Sequence, residues 1–149
     1  MITGFWHIGV PVRNMADSLR FYVDGLGLEL RGHGRSGSSA ATVWGAPDDT
    51  ACEVQFLGIP GEGDLIELLD FDGDDAADKS GYPWDTATLH FALYVDDLGA
   101  VWQKLTGMGY RARSSDIVHP VDGLLKGGSV AYFIDPNGVH VELVQKPGA

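Results

Sequence analysis

The chain has a single cysteine, Cys52, in 149 residues and so cannot close an internal disulfide. That excludes a disulfide-stapled secreted scaffold and points to a reducing compartment, the cytoplasm. Long apolar runs are also missing. No stretch reaches the ~18 apolar residues of a membrane helix, and no basic segment leads into an apolar core at the start. Neither a membrane span nor a signal peptide is expected. Positive charge is scarce, with 10 Lys and Arg against 21 Asp and Glu and a formal net charge of −11. Phosphate backbones and anionic bilayers repel such a chain, so nucleic acid and membrane are excluded as partners. The plain role of the charge is solubility.

Glycine is plentiful, at 21 residues, which fits many turns and a strand-rich fold. The length suits one compact unit, or two very small halves sharing a core. An internal repeat favours halves. The first strand, about Phe5 to Val12, alternates: Ile8, Val10 and Val12 on one face, and Phe5, His7, Gly9 and Pro11 on the other. Asn14 is placed to cap a helix with Asp17 three residues on, and Met15, Leu19, Tyr22 and Leu26 give its apolar stripe. Gly25 and Gly27 end it. A short strand from Leu28 to about Arg35 follows, then a loop over 36–50 with a short helix near 39–45. Cys52–Leu57 and Leu65–Phe71 form a hairpin around Pro60-Gly61-Glu62-Gly63.

Residues 72–86 are acidic and polar and read as a linker. The second half replays the first. Thr88–Val95 is a strand, Asp97 caps a helix carrying Leu98, Val101, Trp102 and Leu105, and Gly107 and Gly109 close it. Tyr110–Arg113 is a short strand. Ser129–Ile134 and Val139–Gln145 form a hairpin across Asp135-Pro136-Asn137-Gly138. The order β-α-β-β-β thus appears twice, in modules 4–71 and 87–146.

Each half opens on a histidine strand, with His7 or His90, and closes on a glutamate strand, with Glu67 or Glu142. The neighbouring positions on each strand are apolar and suited to packing on helices, so the four His and Glu side chains share the opposite face. Imidazole and carboxylate together suit one divalent ion: Zn, Ni, Co, Mn or Fe. Taken singly, each is read more simply, as a hydrogen-bonded core histidine or a solvated glutamate. Four at repeat-related positions favour the metal, because unpaired buried carboxylates cost roughly 3–5 kcal/mol each.

The segments His7-Ile8-Gly9-Val10-Pro11-Val12, Ser18-Leu19-Arg20-Phe21-Tyr22 and Leu26-Gly27-Leu28, with the closing Asp135-Pro136-Asn137-Gly138-Val139-His140-Val141-Glu142-Leu143, carry a family resemblance. They resemble the vicinal oxygen chelate superfamily of glyoxalase I, methylmalonyl-CoA epimerase, extradiol dioxygenases, and fosfomycin and bleomycin resistance proteins. The resemblance covers nearly the whole chain. It implies an α+β fold of paired βαβββ modules in a curled mixed sheet, helices on the outer face, often as a homodimer. It transfers the metal positions onto His7, Glu67, His90 and Glu142. Two polar residues of glutathione-using bacterial members are replaced here by Pro11 and Phe71, and the second glyoxalase signature fails around Leu89-His90.

The activity implied is isomerisation, epimerisation or lyase chemistry on a small carbonyl compound through a metal-stabilised enolate. Glu142 is the expected base. Glu67 or Glu53 would return the proton; the epimerase relatives place a catalytic Glu on the strand of Glu53, and a solvent-facing edge position is the plainer alternative. A second reading is an Fe(II) ring-cleaving dioxygenase using His7, His90 and Glu142, which Glu67 would obstruct as a fourth ligand. A third is a non-catalytic drug- or metabolite-binding resistance protein. His119 and Lys126 could cover a cavity mouth, though their segment also reads as an ordinary approach to the hairpin. Tyr132 resembles a tyrosine of extradiol dioxygenases, with packing as its simpler role. Trp44 and Trp84 could line an apolar pocket or pack as core or lid, and His140 shares a side with Glu142.

Overall fold

The computed structural model describes residues 1–37, 39–73 and 81–148. The chain divides into two compact units, Met1–Asp78 and Lys79–Ala149, with the boundary inside the acidic segment expected as a linker; residues 74–80 of that segment lie outside the described residues. The architecture is α+β, with few helices and two open mixed sheets.

In the first unit, β1 (Ile8–Val12), β2 (Glu29–Arg35), β3 (Cys52–Gly58) and β4 (Asp64–Phe71) lie in the order β1-β4-β3-β2. β1 runs parallel to β4, with Gly9 opposite Glu67, while β3 pairs with β4 antiparallel, with Phe56 opposite Glu67. Alternation then fixes the faces. Val10, Val12, Leu57, Ile66 and Leu68 are buried on one side.

The helix α1 (Met15–Leu19) starts where the sequence places it. Asn14 is extended, and its side chain accepts a hydrogen bond from the Asp17 N–H at 2.9 Å. The Met15 N–H is taken by the Asp70 carboxylate at 2.9 Å, which ties the helix start to β4. The continuation differs from expectation. Residues Arg20–Gly25 form a π-helical turn, marked by the Leu26 N–H bonding back to the Phe21 carbonyl at 3.0 Å. A wider turn rotates the following side chains relative to an α-helix. The buried face carries Met15, Ser18, Phe21, Tyr22 and Gly25, whereas Leu19 and Leu26 are only half-buried. A short helix α2 (Ala40–Trp44) falls in the loop where one was expected, and Trp44 meets Phe71 edge-on at 4.9 Å.

In the second unit, β5 (His90–Tyr94), β6 (Ser129–Ile134) and β7 (His140–Gln145) form a sheet in the order β5-β7-β6. Again the first strand is parallel to the last, with Ala92 opposite Glu142, and Tyr132 stands opposite Glu142 from β6. Phe91, Ala131, Phe133, Val141 and Leu143 are buried together, and α3 (Leu98–Gly107) contacts β6 and β7. Leu98 and Leu105 are fully buried in α3, and Trp102 packs edge-on to Phe133 at 5.3 Å. Asp97 caps α3 by accepting from the Ala100 N–H at 2.9 Å. The strand expected over Tyr110–Arg113 reduces to one bridge, Ala112 to Phe133. The second replay of βαβββ is therefore incomplete as regular structure. The closing turn is held by Asp135, whose Oδ1 accepts from the N–H groups of Asn137 (2.8 Å) and Val139 (2.7 Å), and Gly138 takes the positive φ of 91° that the turn requires.

These positions make two stability losses separable by denaturant unfolding. Leu143→Ala, which empties a fully buried place on β7, is expected to lower the unfolding free energy by about 2–5 kcal/mol. Asn14→Ala removes only the helix cap and should cost about 1 kcal/mol. A loss at Asn14 as large as that at Leu143 would show that the α1 start carries more of the fold than one cap.

Candidate functional site

Each unit builds one His–Glu pair on the sheet face that points away from its helix-packed core. In the first unit His7, immediately before β1, and Glu67, mid-β4, approach to 3.1 Å between Nε2 and Oε2. Parallel pairing accounts for this, since Gly9 is aligned with Glu67 and His7 lies two residues earlier on the same face. Gly9 leaves room: a Cβ there would stand 3.9 Å from Glu67 Oε2 and 3.5 Å from Leu69 Cδ1. His7 is boxed by rings, Trp6 edge-on at 4.4 Å and Phe56 edge-on at 5.4 Å, with Trp6 stacked on Phe56 at 5.7 Å. Its Nδ1 is buried with no hydrogen-bond partner, so its polar contact is made through Nε2.

In the second unit His90 Nε2 and Glu142 Oε2 lie 3.4 Å apart. The surroundings are more polar. The Tyr132 hydroxyl is 3.3 Å from His90 Nε2, with the rings edge-on at 5.2 Å. Burial pushes the Tyr132 phenol up to about 12, and the Glu142 charge and a hydrogen bond to it act in the same direction. A neighbouring anion disfavours the phenolate. His140, aligned with His90 across the parallel ladder, is fully buried, and its Nε2 accepts from Arg113 Nε at 2.8 Å. That bond leaves the ring proton on Nδ1, which is buried without a partner. Burial, then the Arg113 and His90 charges, hold the His140 imidazole below its ordinary value, against an opposing pull from Asp135. His140 is thereby committed to Arg113. Arg113 in turn donates to the Gly81 carbonyl at 2.9 Å and lies over the Tyr82 ring at 5.1 Å.

The two pairs are related by the repeat, and their differences are informative. Phe56 stands opposite Glu67 where Tyr132 stands opposite Glu142. Leu65, two residues before Glu67, holds the place that His140 holds before Glu142. The hairpin turns would have given both correspondences, because pairing counts outward from Gly61-Glu62 and from Asn137. The Arg113–His140 bond has no such signal, since Arg113 belongs to an irregular segment.

Several expected residues fall elsewhere. Glu53 lies opposite Asp70, on the face shared with Gln55 and Leu68, so the register sets it on the other side of the sheet from Glu67. That removes it from the His7–Glu67 pair. The carboxylates are also less buried than the cost argument assumed: the side chains of Glu67 and Glu142 retain 22% and 14% exposure, and both have imidazole partners. The penalty for leaving them without a metal is correspondingly smaller. His119 Nδ1 pairs with Ser129 Oγ at 3.0 Å, and Val118 bridges to Val130, so this segment is fastened to β6 as a hairpin approach. Trp84 stacks on Tyr82 at 4.6 Å and stays exposed. Among the described residues, no group of three or more His, Cys, Asp or Glu suited to a metal comes together.

Each pair by itself has the spacing of two ligands on one ion. Donors about 2.1 Å from an ion lie about 3.0 Å apart at a right angle and about 3.4 Å apart at the tetrahedral angle. The 3.1 Å and 3.4 Å separations fall on those edges.

The fold and the paired residues define a twice-built sheet module carrying one imidazole–carboxylate pair per repeat. The glyoxalase/bleomycin resistance protein/dioxygenase superfamily model matches residues 4–143, and the chain belongs to that superfamily. A glyoxalase family protein from Bacillus cereus is similar over 99% of this chain and 97% of its own, at 18% identity and a TM-score of 0.83. The trypanothione-dependent glyoxalase I of Leishmania major is similar over 97% of this chain and 88% of its own, at 20% identity and a TM-score of 0.64. TnmS3, an antibiotic binding protein from a Streptomyces species, matches over 97% of both chains, at 20% identity and a TM-score of 0.62. No curated protein sequence matches the chain. An enzyme and a binding protein share this fold, so the fold alone does not select the chemistry. No helix among the described residues is long and apolar enough to cross a membrane.

The Tyr132 environment can be checked directly in metal-free protein. Absorbance titration of wild type against Tyr132→Phe should show one phenol ionising near 12 rather than 10. In Glu142→Gln, with the carboxylate charge gone, that midpoint should move down. A Tyr132 midpoint at the ordinary value in wild type would mean that its hydroxyl is in water and away from Glu142.

Proposed function

We propose that the chain is a metal-dependent isomerase, epimerase or lyase acting on a small carbonyl compound, with His7, Glu67, His90 and Glu142 as ligands of one divalent ion. The observation that carries this reading is the repeat of the His–Glu pair at ligand spacing in both units. The donor set, two imidazoles and two carboxylates, suits Zn, Ni, Co, Mn or Fe. Bound there, the ion would supply Lewis-acid stabilisation of negative charge on a substrate oxygen.

The residues divide the remaining work unevenly. Glu142 is the proposed base that takes the proton alpha to the carbonyl. Beside it the Tyr132 phenol remains protonated at neutral pH and able to donate a hydrogen bond. Glu67 is the proposed site of proton return, with Phe56 opposite it on β3 and its partner His7 flanked by the Trp6 and Phe56 rings. Glu67 also argues against ring-cleaving dioxygenation: as a fourth ligand beside His7 it would take a position that dioxygen and a catechol would need. Glutathione is disfavoured. Pro11 lies on the Glu67 face opposite Leu69 and offers no side-chain donor, and Phe71 is engaged with Trp44. Ligand groups left unpaired there would cost about 1–3 kcal/mol each.

Elemental analysis and metal titration test the reading first. One divalent ion per chain is expected in wild type, with a substantial loss of affinity in His7→Ala and in His90→Ala. Absence of stoichiometric metal after loading with Zn, Ni, Co, Mn and Fe in turn would sink it. In metal-loaded protein acting on an identified carbonyl substrate, Glu142→Gln should reduce turnover by roughly 100-fold or more while the fold is kept. Near-normal turnover would transfer the base to Glu67. With the methylglyoxal–glutathione adduct the specificity constant should stay well below ~10⁵ M⁻¹s⁻¹, and a value at or above that would refute the argument from Pro11 and Phe71.

A further inference from the structure

The glycine-rich strand β2 (Arg31-Gly32-His33-Gly34-Arg35) opens a cavity of about 290 Å³ lined by Gly32, His33, Gly34, Arg35, Val54 and Phe56. Gly34 is aligned with Val54, and Phe56 with Glu67, so the cavity lies on the Glu67 face of the sheet with Phe56 as the shared wall. Its room comes from missing side chains. A Cβ at Gly32 or at Gly34 would meet nothing within 4 Å. The edge is also braced. The ladder between β2 and β3 shifts between Leu30 and His33, and the Gln55 side-chain amide donates to the Gly32 carbonyl at 3.2 Å at that break. Strand interiors ordinarily avoid glycine, and two here, with the freed carbonyl satisfied from the opposite face, mark a place where something else approaches.

We infer that this cavity binds the non-reacting part of the substrate and selects a neutral, flat group of about two fused aromatic rings. The inference rests on the enzymatic reading of the neighbouring His7–Glu67 pair and names its substrate class. Size sets an upper limit: an enclosed cavity of about 150 Å³ holds one benzene, and this groove, open to solvent along β2, has about twice that volume and so covers no more than about two fused rings. Chemistry gives the flatness. Phe56 already stacks on Trp6 and meets His7 edge-on, so a ring lying against it extends an existing aromatic cluster towards the reacting pair. Charge gives the neutrality. The one guanidinium in the lining, Arg35, is paired with Asp72, and the net charge of −11 repels anions.

The test uses 2-naphthol as the probe, followed by amide NMR of the intact protein, with naphthalene-2-sulfonate as the anionic control. Saturable shifts are expected at Gly32, Gly34 and the Trp6 indole N–H, with the sulfonate binding more weakly. Gly34→Leu should weaken 2-naphthol roughly tenfold or more by keeping the rings off Phe56, with zinc affinity unchanged. Gly34→Val, whose branched side chain suits a strand, serves as the second variant should the leucine disturb folding. Shifts centred on the exposed Tyr82–Trp84 pair, equal or tighter binding of the sulfonate, or indifference of both variants would overturn the inference. Zinc titration is read separately. Zinc binding without 2-naphthol at Gly34 refutes the cavity alone, whereas 2-naphthol at Gly34 with none of Zn, Ni, Co, Mn or Fe bound upholds the cavity and refutes the metal enzyme.

Discussion

Parallel pairing between the first and last strand of each half governs where the chemistry-bearing residues stand. A hairpin brings together residues near in sequence, but β1 with β4 pairs Ile8 with Ile66 and β5 with β7 pairs His90 with His140, segments 58 and 50 residues apart. Parallel strands need such crossovers, and their entropy must be recovered by burial. The burial is visible on the core face, where Val10, Ile66, Leu68, Phe91, Val141 and Leu143 lose nearly all contact with water. A slip of one residue would turn these side chains outward, so the register is strongly held. The same register sets Gly9 opposite Glu67 and Ala92 opposite Glu142. The histidine two residues before each small residue is then carried to its glutamate. Core packing thus positions polar groups on the opposite face without needing to touch them.

That shared constraint makes the differences between the halves meaningful. With the backbone alignment alike, the residue opposite each glutamate decides its surroundings. Phe56 gives Glu67 an aromatic wall, and Tyr132 gives Glu142 a hydroxyl held protonated by burial and, after it, by the charge beside it. Leu65 is apolar, while His140 in the matching place is buried and tied to Arg113. Two carboxylates of one chemical type therefore have different neighbours, an aromatic ring beside one and a hydroxyl beside the other.

The sequence carried the parts that depend on alternation, caps and tight turns. Asn14 and Asp97 cap their helices as their spacing indicates, and the Pro60–Gly63 and Asp135–Gly138 turns set the hairpin registers. Those registers also determine that Glu53 lies on the far face from Glu67, a consequence that side-by-side inspection of the strand alone does not reveal. The π-helical turn at Arg20–Gly25 was not legible. Phe21, inside that turn, is buried beside Tyr22, whereas Leu19 before it is half-buried. The Tyr110–Arg113 segment had strand composition but makes only one bridge, and Arg113 instead reaches His140 and the Gly81 carbonyl. Side-chain bonds from irregular segments have no periodic signature. The shared face of His7 and Glu67, like that of His90 and Glu142, follows from alternation on β1, β4, β5 and β7, His7 standing immediately before β1.

Glycine, which fits turns and a strand-rich fold in general, has a sharper meaning at β2. An edge strand gains little from glycine: it loses side-chain packing and leaves its backbone open to unwanted pairing. Here the weakness is offset locally. Gln55 satisfies the carbonyl at the break in the ladder, and Arg35 anchors the strand end to Asp72. The compensation maintains an opening rather than filling it, although a larger residue at Gly34 would meet no neighbour. A sequence selected for stability alone would put a β-branched residue there. Retaining space next to Phe56, on the same face as Glu67, is the economy of a surface shaped around a ligand.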